Sequence, residues 1–424
     1  ARRRTKRMHH RLMLLQELFK EEIAKVDPLF FIRLNNSNLL EEDKEYSVSS
    51  RNYLFDEKMF NDKEFFRKYP TIFHLRKTCL QGDITDIRLL YLAIHHIIKN
   101  RGHFLFEGQN FSVGDIENVK ENFRHINNIL FELYGEETDE FVTLPLEQTE
   151  EVLRVLENDK IVKKEKEHKI KELFSIDKKN KQKGALISAI CGSKFNVQEL
   201  LRTENDLGDF NRIVFDESFD DSKLEQLGSV MDEEEADLIR NAKAIYDWSV
   251  LSNILQGEQY ISVAKVKLFD EHNKDLRLLK DYIKENCPKK YVLTFRKKEN
   301  VNNYASYIGM DKKHRVKRCK KETFYDFLRN EIGIKAGIIA EKIENGTFMP
   351  KQRTSSNGLI PYQVHLAELK TILSKAEKQF PFLWEERDGY TVAEKIIALM
   401  TFKIPYYVGP LTTRQGKFSW MKKQ

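Results

Sequence analysis

The densest chemistry in the sequence lies at its amino end. Arg2, Arg3, Arg4, Lys6, Arg7 and Arg11 fall within eleven residues that hold no acid. Arg3, Arg7 and Arg11 are four apart, so on a helix they share a face and cover about 12 Å at the α-helical rise. Arg4 and Arg11, seven apart, extend the same stripe. Guanidinium forks suit bidentate contacts to phosphate, and a row of this length can follow a nucleic-acid backbone. A solvated basic terminus or a localisation tag is the plainer alternative.

Three further segments hold donors suited to the same chemistry. Lys99, Arg101, Gly102 and His103 end a helical pattern, where cations also serve as simple C-terminal caps. The run Lys351-Gln352-Arg353-Thr354-Ser355-Ser356-Asn357-Gly358 mixes bases, amides and hydroxyls, which suits sugar and phosphate contacts. Tyr406 and Tyr407 lie near Lys403, with Arg414, Lys417, Phe418 and Trp420 following. Aromatics interleaved with bases can stack on sugars or bases, or can pack in a core. His95 and His96 lack a third and fourth ligand at useful spacing, so a metal site is not expected. No Walker-type phosphate loop, dinucleotide-binding glycine fingerprint or H-E-x-x-H zinc motif occurs. No carboxylate cluster stands out as a two-metal nuclease site.

Helices must position these groups. From Met8 the apolar positions run Met8, Leu12, Leu15, Phe19 and Ile23, one helix face, and Asp27-Pro28 ends it. Thr85 or Asp86 can cap a second helix that gathers Ile87, Leu90, Tyr91, Ile94, Ile97 and Ile98, with Gly102 placed to stop it. Further helices are expected over 114–134, 232–256, 261–286, 335–345, 361–379 and 391–400, with Pro288 as an interruption. Only 18 glycines and 9 prolines in 424 residues argue against an all-β chain. The fold class is mainly α, in several helical modules.

The six bases at the start account for the whole formal net charge of +6, so the body is neutral with one basic end. Residues 160–183 are lysine-rich and 216–237 acid-rich, which marks a module with its own surface character. A second basic cluster covers 312–321. Hydrophobic residues at 41% and charged residues at 33% read as soluble and globular. No apolar run of about 18 residues occurs, so no membrane span is expected, and no secretory signal is read at the start. Cys79, Cys191, Cys287 and Cys319 stand apart, as buried small side chains in a reducing cytoplasm would.

Five stretches resemble one known family, in the same order along the chain. They are ARRRTKRMHHRLMLLQELF at the start, YPTIFHLRK (69–77), IKNRGHFLFEG (98–108), PKQRTSSNGLIPYQVHLAEL (350–369) and TFKIPYYVGPLTTRQGKFSWM (401–421). The family is that of the type II CRISPR RNA-guided DNA endonucleases, the Cas nine proteins. The resemblance covers essentially the whole chain and is weakest over roughly 112–250. It implies a non-catalytic recognition lobe of a longer protein: an arginine-rich bridge helix over 1–26, a first recognition domain over 27–111 and 257–424, and a second one inserted at 112–256. Catalytic motifs would then lie outside this chain, and magnesium would belong to the full-length nuclease, with no cofactor here.

The residue roles that follow are also implied by the resemblance. Arg3, Arg4, Arg7 and Arg11 match arginines that grip guide RNA, including its seed. Met8 stands where relatives can hold Arg, so one phosphate contact is absent. His96, Lys99 and Arg101 match positions on the repeat:anti-repeat RNA, and Tyr325 matches a tyrosine near the RNA groove. Arg353, Thr354, Asn357 and Tyr406 match positions on the guide–target heteroduplex. The implied partners are guide RNA (a crRNA with its tracrRNA, or a single guide) and the target DNA strand. Bacterial cytoplasm is the implied location. The alternative reading is a lobe that docks a protein inhibitor such as an anti-CRISPR protein.

Overall fold

The structure is a computed structural model. It describes residues 2–35, 53–55, 57–58, 60–102, 116–135, 144–158, 161–176, 180–215, 219, 221–255, 257–296, 302–309, 319–351, 360 and 362–402. Helices dominate; the strands among the described residues are two antiparallel pairs of two residues each, Phe195–Asn196 with Arg212–Ile213 and Glu386–Arg387 with Tyr390–Thr391. The chain is mainly α, as its periodicity predicts.

The first helix runs Arg2–Val26 without a glycine or proline to break it. It ends where predicted, with the Asp27 amide bonded to the Ile23 carbonyl at 2.7 Å and Pro28 next. Its buried apolar residues are Leu14, Leu15, Leu18, Phe19 and Ile23. Met8 and Leu12 are only half-buried, so the apolar stripe is broader and starts later than the 8–12–15–19–23 pattern. Asp86 caps the Ile87–Lys99 helix through the Arg88 amide at 2.8 Å. That helix buries nearly every side, Arg88, Leu89, Leu92 and Ala93 included, which a one-sided reading underestimates. It packs on the first helix and on helices Ile72–Gln81 and Tyr362–Ala376. Thr391 and Glu394 form a reciprocal capping box at the start of the Val392–Thr401 helix.

Two compact units are distinguished. One comprises Ala1–Glu157, Lys163–Ala264 and Gly358–Gln424. It contains an apolar cluster of residues 14–98 and 369–402 around Phe19, Tyr91, Ile94 and Leu399. It also contains a separate cluster from Val119 to Trp248, built on the Ile116–Tyr134 and Glu233–Leu255 helices. A smaller group, Leu251, Ile254, Ile261, Ile360 and Val364, continues the second of those helices. The other unit comprises Asn158–Val162 and Lys265–Asn357. Its core is Leu279, Ile283, Tyr307, Phe324, Leu328 and Phe348 among others, with the Tyr307 and Phe324 rings stacked at 4.4 Å. Cys79, Cys191 and Cys319 are buried free thiols, and Cys287 is half-buried.

Candidate nucleic-acid interface

The Arg2–Val26 helix carries Arg3, Arg4, Arg7 and Arg11 on one continuous backbone. Lys6 is exposed and Arg7 half-buried, but Arg11 is only 6% exposed. An Arg11 Nη2 hydrogen donates to the Ile98 carbonyl at 3.5 Å, and Arg11 Nε is buried without a partner. Burial, with the Arg7 cation adding to it, pulls the Arg11 guanidinium down to about 10, so it stays charged at neutral pH. The spacing therefore places bases and core differently from a helix with phosphate ligands on one side and protein on the other. Seven residues separate Arg11 from Leu18, a rotation about 20° short of two full turns. Arg11 thus lies on the stripe that Leu15 and Leu18 occupy. Basic and apolar character divide along the helix axis rather than across it.

Three helix ends meet at this basic stretch. The Ile98 carbonyl, which Arg11 reaches, belongs to the last turn of the Ile87–Lys99 helix. Lys99 is exposed there. Arg101 is half-buried and donates from Nη1 to the carbonyls of Met400 at 2.7 Å, Phe402 at 3.0 Å and Leu399 at 3.4 Å. It therefore caps a helix, but one roughly three hundred residues away rather than its own. The ring of His10 stacks on Phe402 at 5.9 Å. These contacts bring Arg7, Arg11, Lys99 and Arg101 to the same helix ends, and the Arg7 cation acts on Arg11.

His95 and His96 occupy the turn before. Burial, assisted by Lys99, holds His95 down to about 4. Burial, with Arg76, His95 and Lys99 adding to it, holds His96 down to about 3, so both are neutral at physiological pH. The His96 ring stands edge-on to Phe73 at 5.3 Å. Its Nδ1 lies 3.1 Å from Arg76 Nη1. Arg76 is fully buried and donates from Nε to Glu368 Oε1 at 2.8 Å; Glu368 is fully buried too, and its Oε2 accepts from the Ser262 amide at 3.3 Å. Sequence reasoning missed this pair. Arg76 sits inside YPTIFHLRK beside the buried Leu75, but its partner is 292 residues away, and no local spacing announces it.

In the second unit Tyr325 is 5% exposed and its hydroxyl donates to the Phe348 carbonyl at 2.7 Å. The side chain predicted beside RNA is thus placed in the core with its donor engaged. Lys351 donates to the Cys319 carbonyl at 2.6 Å and lies over the Tyr307 ring at 4.4 Å. Arg353, Thr354, Asn357 and Tyr406 lie outside the described residues. So does most of the 312–321 cluster, of which Lys320 and Lys321 are described. In the lysine-rich stretch, the Lys163–Leu173 helix pairs Lys169 with Glu165 at 3.1 Å, which makes that face partly self-neutralised. A groove of about 840 Å³ opens nearby, with Lys171, Lys181, Lys194 and Arg212 in its lining. Among the described residues no group of three or more His, Cys, Asp or Glu side chains could hold a metal ion, and no helix is long and apolar enough to cross a membrane.

Comparison with known proteins matches this organisation. The family described as the bridge helix of CRISPR-associated endonuclease Cas9 matches residues 1–27. The family described as the REC lobe of the same endonuclease matches residues 119–424. Among curated relatives, the CRISPR-associated endonuclease Cas9 of Listeria innocua serovar 6a is 34% identical over the whole chain. The CRISPR-associated endonuclease Cas9 of Streptococcus mutans serotype c is 32% identical over the same extent. The chain spans about 30% of the length of each. With a basic first helix anchored in a helical core and both family descriptions met in order, the chain belongs to the Cas9 family, as its bridge helix and recognition lobe.

Proposed function

We propose that this chain is a non-catalytic RNA-binding lobe that holds guide RNA and the guide–target heteroduplex through their backbones. In this reading the heteroduplex is recognised by A-form shape and phosphate, and sequence is left to base pairing. Arg3, Arg4 and Arg7 grip guide RNA near its seed. Arg11 supports them from inside the fold as a buried positive charge. His96 and Lys99 face the repeat:anti-repeat duplex, and Arg101 holds the helix ends beneath them. Arg353, Thr354, Asn357 and Tyr406 take the heteroduplex. The division into a bridge helix over 1–26, a first recognition domain over 27–111 and 257–424, and an inserted one over 112–256 belongs to the same proposal. The longer relatives are named endonucleases, and this reading leaves cleavage, with the magnesium it would use, to parts other than the lobe.

The observation that carries this reading is the convergence of Arg7, Arg11, Lys99 and Arg101 where three helix ends meet. The test is binding of the full chain to a single guide RNA across a salt series, beside a variant with Arg3→Ala, Arg7→Ala and Lys99→Ala. Each lost phosphate contact should flatten the log–log salt slope by about 0.7–0.9, whatever the guide sequence. A variant with an unchanged slope, or a loss that depends on guide sequence, refutes backbone readout. Weak, salt-independent binding by a folded chain favours docking of a protein inhibitor instead.

A further inference from the structure

The pair Arg76–Glu368 has a consequence for the histidine it touches. A guanidinium has five N–H donors, no acceptor, and does not lose its proton in a protein. With Arg76 Nη1 at 3.1 Å, His96 Nδ1 must therefore offer its lone pair. The proton of the neutral ring then sits on Nε2. Arg76 is held on two further sides. Glu368 holds its Nε at 2.8 Å, and the Phe73 ring lies 5.4 Å from the guanidinium carbon. Glu368 is itself fixed by the Ser262 amide. The charged and titratable groups around the imidazole are Arg76, backed by Glu368, from the packed helices, and His95 and Lys99 from its own helix. The neighbouring cations disfavour a second proton.

We propose that Arg76 and Glu368 are positioning residues that lock His96 as its neutral, Nε2-protonated tautomer, so that it meets an RNA oxygen as a hydrogen-bond donor without carrying charge. The partner oxygen is a phosphate or a ribose hydroxyl, both acceptors for an N–H. A contact of this kind contributes orientation without adding to counterion release, unlike the arginine contacts beside it. The proposal rests on the reading that His96 faces guide RNA.

The first measurement is long-range ¹H–¹⁵N correlation spectroscopy of the histidine-labelled full chain between pH 6 and 8, with His96→Gln to assign the signals. The Nε2–H pattern, unchanged across that range, is expected. An Nδ1–H pattern, or an imidazolium at pH 7, overturns the proposal whatever any variant does. The second arm replaces the pair together, Arg76→Met with Glu368→Met, because removing both charges spares the fold the cost of an orphaned ion. In that variant His96 should populate both tautomers, while burial still keeps the ring neutral at pH 7. Single guide RNA affinity should fall about threefold to tenfold, with the fall absent when His96→Ala is already in place. A His96 signal unmoved by loss of the pair refutes the positioning role. The expected tautomer with RNA affinity indifferent to His96→Ala refutes the RNA reading and leaves the lock standing. If the paired variant fails to fold, the wild-type spectrum still decides.

Discussion

Two buried carboxylates, one in each unit, are held in different ways. In the first, Arg76 and Glu368 are both fully enclosed and 292 residues apart in sequence. In the second, Asp275 is fully enclosed, but its partner Lys342 keeps 32% of its side chain in solvent, and Asp275 also accepts from the Met349 amide at 2.7 Å. Those partners lie within about 75 residues of one another. The first arrangement is a closed pair that forms only when remote stretches of chain have met. In both, a backbone amide is the carboxylate's second donor; the second arrangement is drawn from a nearer stretch and is open to water at one end. Loss of the cation leaves the first carboxylate enclosed with one amide donor, and the second with an amide and access to water.

The largest effect should follow from Arg76→Ala in the full chain, which strands Glu368 and should cost about 3–5 kcal/mol in urea unfolding. A cost under about 1 kcal/mol would erase the contrast between the units. Lys342→Ala should cost less, about 1–2 kcal/mol, because the Met349 amide remains and water can reach the vacated place. Equal losses from the two substitutions would mean that partial exposure does not matter. Tyr325→Phe should remove about 1 kcal/mol by leaving the Phe348 carbonyl without its donor. If it instead weakens guide RNA binding and leaves stability unchanged, the tyrosine leaves the core to meet ligand.

A pH dependence separates the units in another way. His95 and His96 are held to about 4 and about 3 in the folded chain, against 6.5 for an open histidine. The folded state therefore binds fewer protons than the unfolded state. Their contribution is fully present well above pH 6.5 and is lost as pH falls toward those lower values, by about 0.7 kcal/mol for each between pH 7 and 6. Burial also lowers His272 in the second unit, but its contact with the Pro350 carbonyl and the nearby Asp275 oppose the shift. Thermal unfolding from pH 7 to 5 should flatten in a His95→Gln, His96→Gln variant more than in His272→Gln. The reverse order would place the stronger desolvation in the second unit.

Helices were legible in the sequence because their causes are local. Asp86 before Ile87, Asp27-Pro28 after Val26 and Thr391 before Glu394 act within a turn of the element they bound. The basic end and the motif order were equally legible. What could not be read was where long side chains finish. Arg11 shares its spacing with the outer arginines yet ends in the core, because four-residue steps drift about 40° each toward the face that Leu15 and Leu18 occupy. Arg101 reads as a terminal cation and in fact collects the carbonyls of Leu399, Met400 and Phe402. Arg76 lies in YPTIFHLRK with no local spacing to mark its partner. Each of these roles is set by a partner tens to hundreds of residues away, at a separation where periodicity carries no information.

The stacking of His10 on Phe402 gives the lobe a property of connectivity rather than of binding. Its earliest and latest described helices share one seam, so the polypeptide between them makes a nearly closed circuit. A fold with that topology is indifferent to where the circuit is cut, provided the cut falls on the surface. Joining the two sides of the seam with a short linker and opening the chain at the exposed Gly208 turn should give a permuted lobe with the same core. The order in which its helices emerge during synthesis would then become a free variable, separable from the structure that they reach.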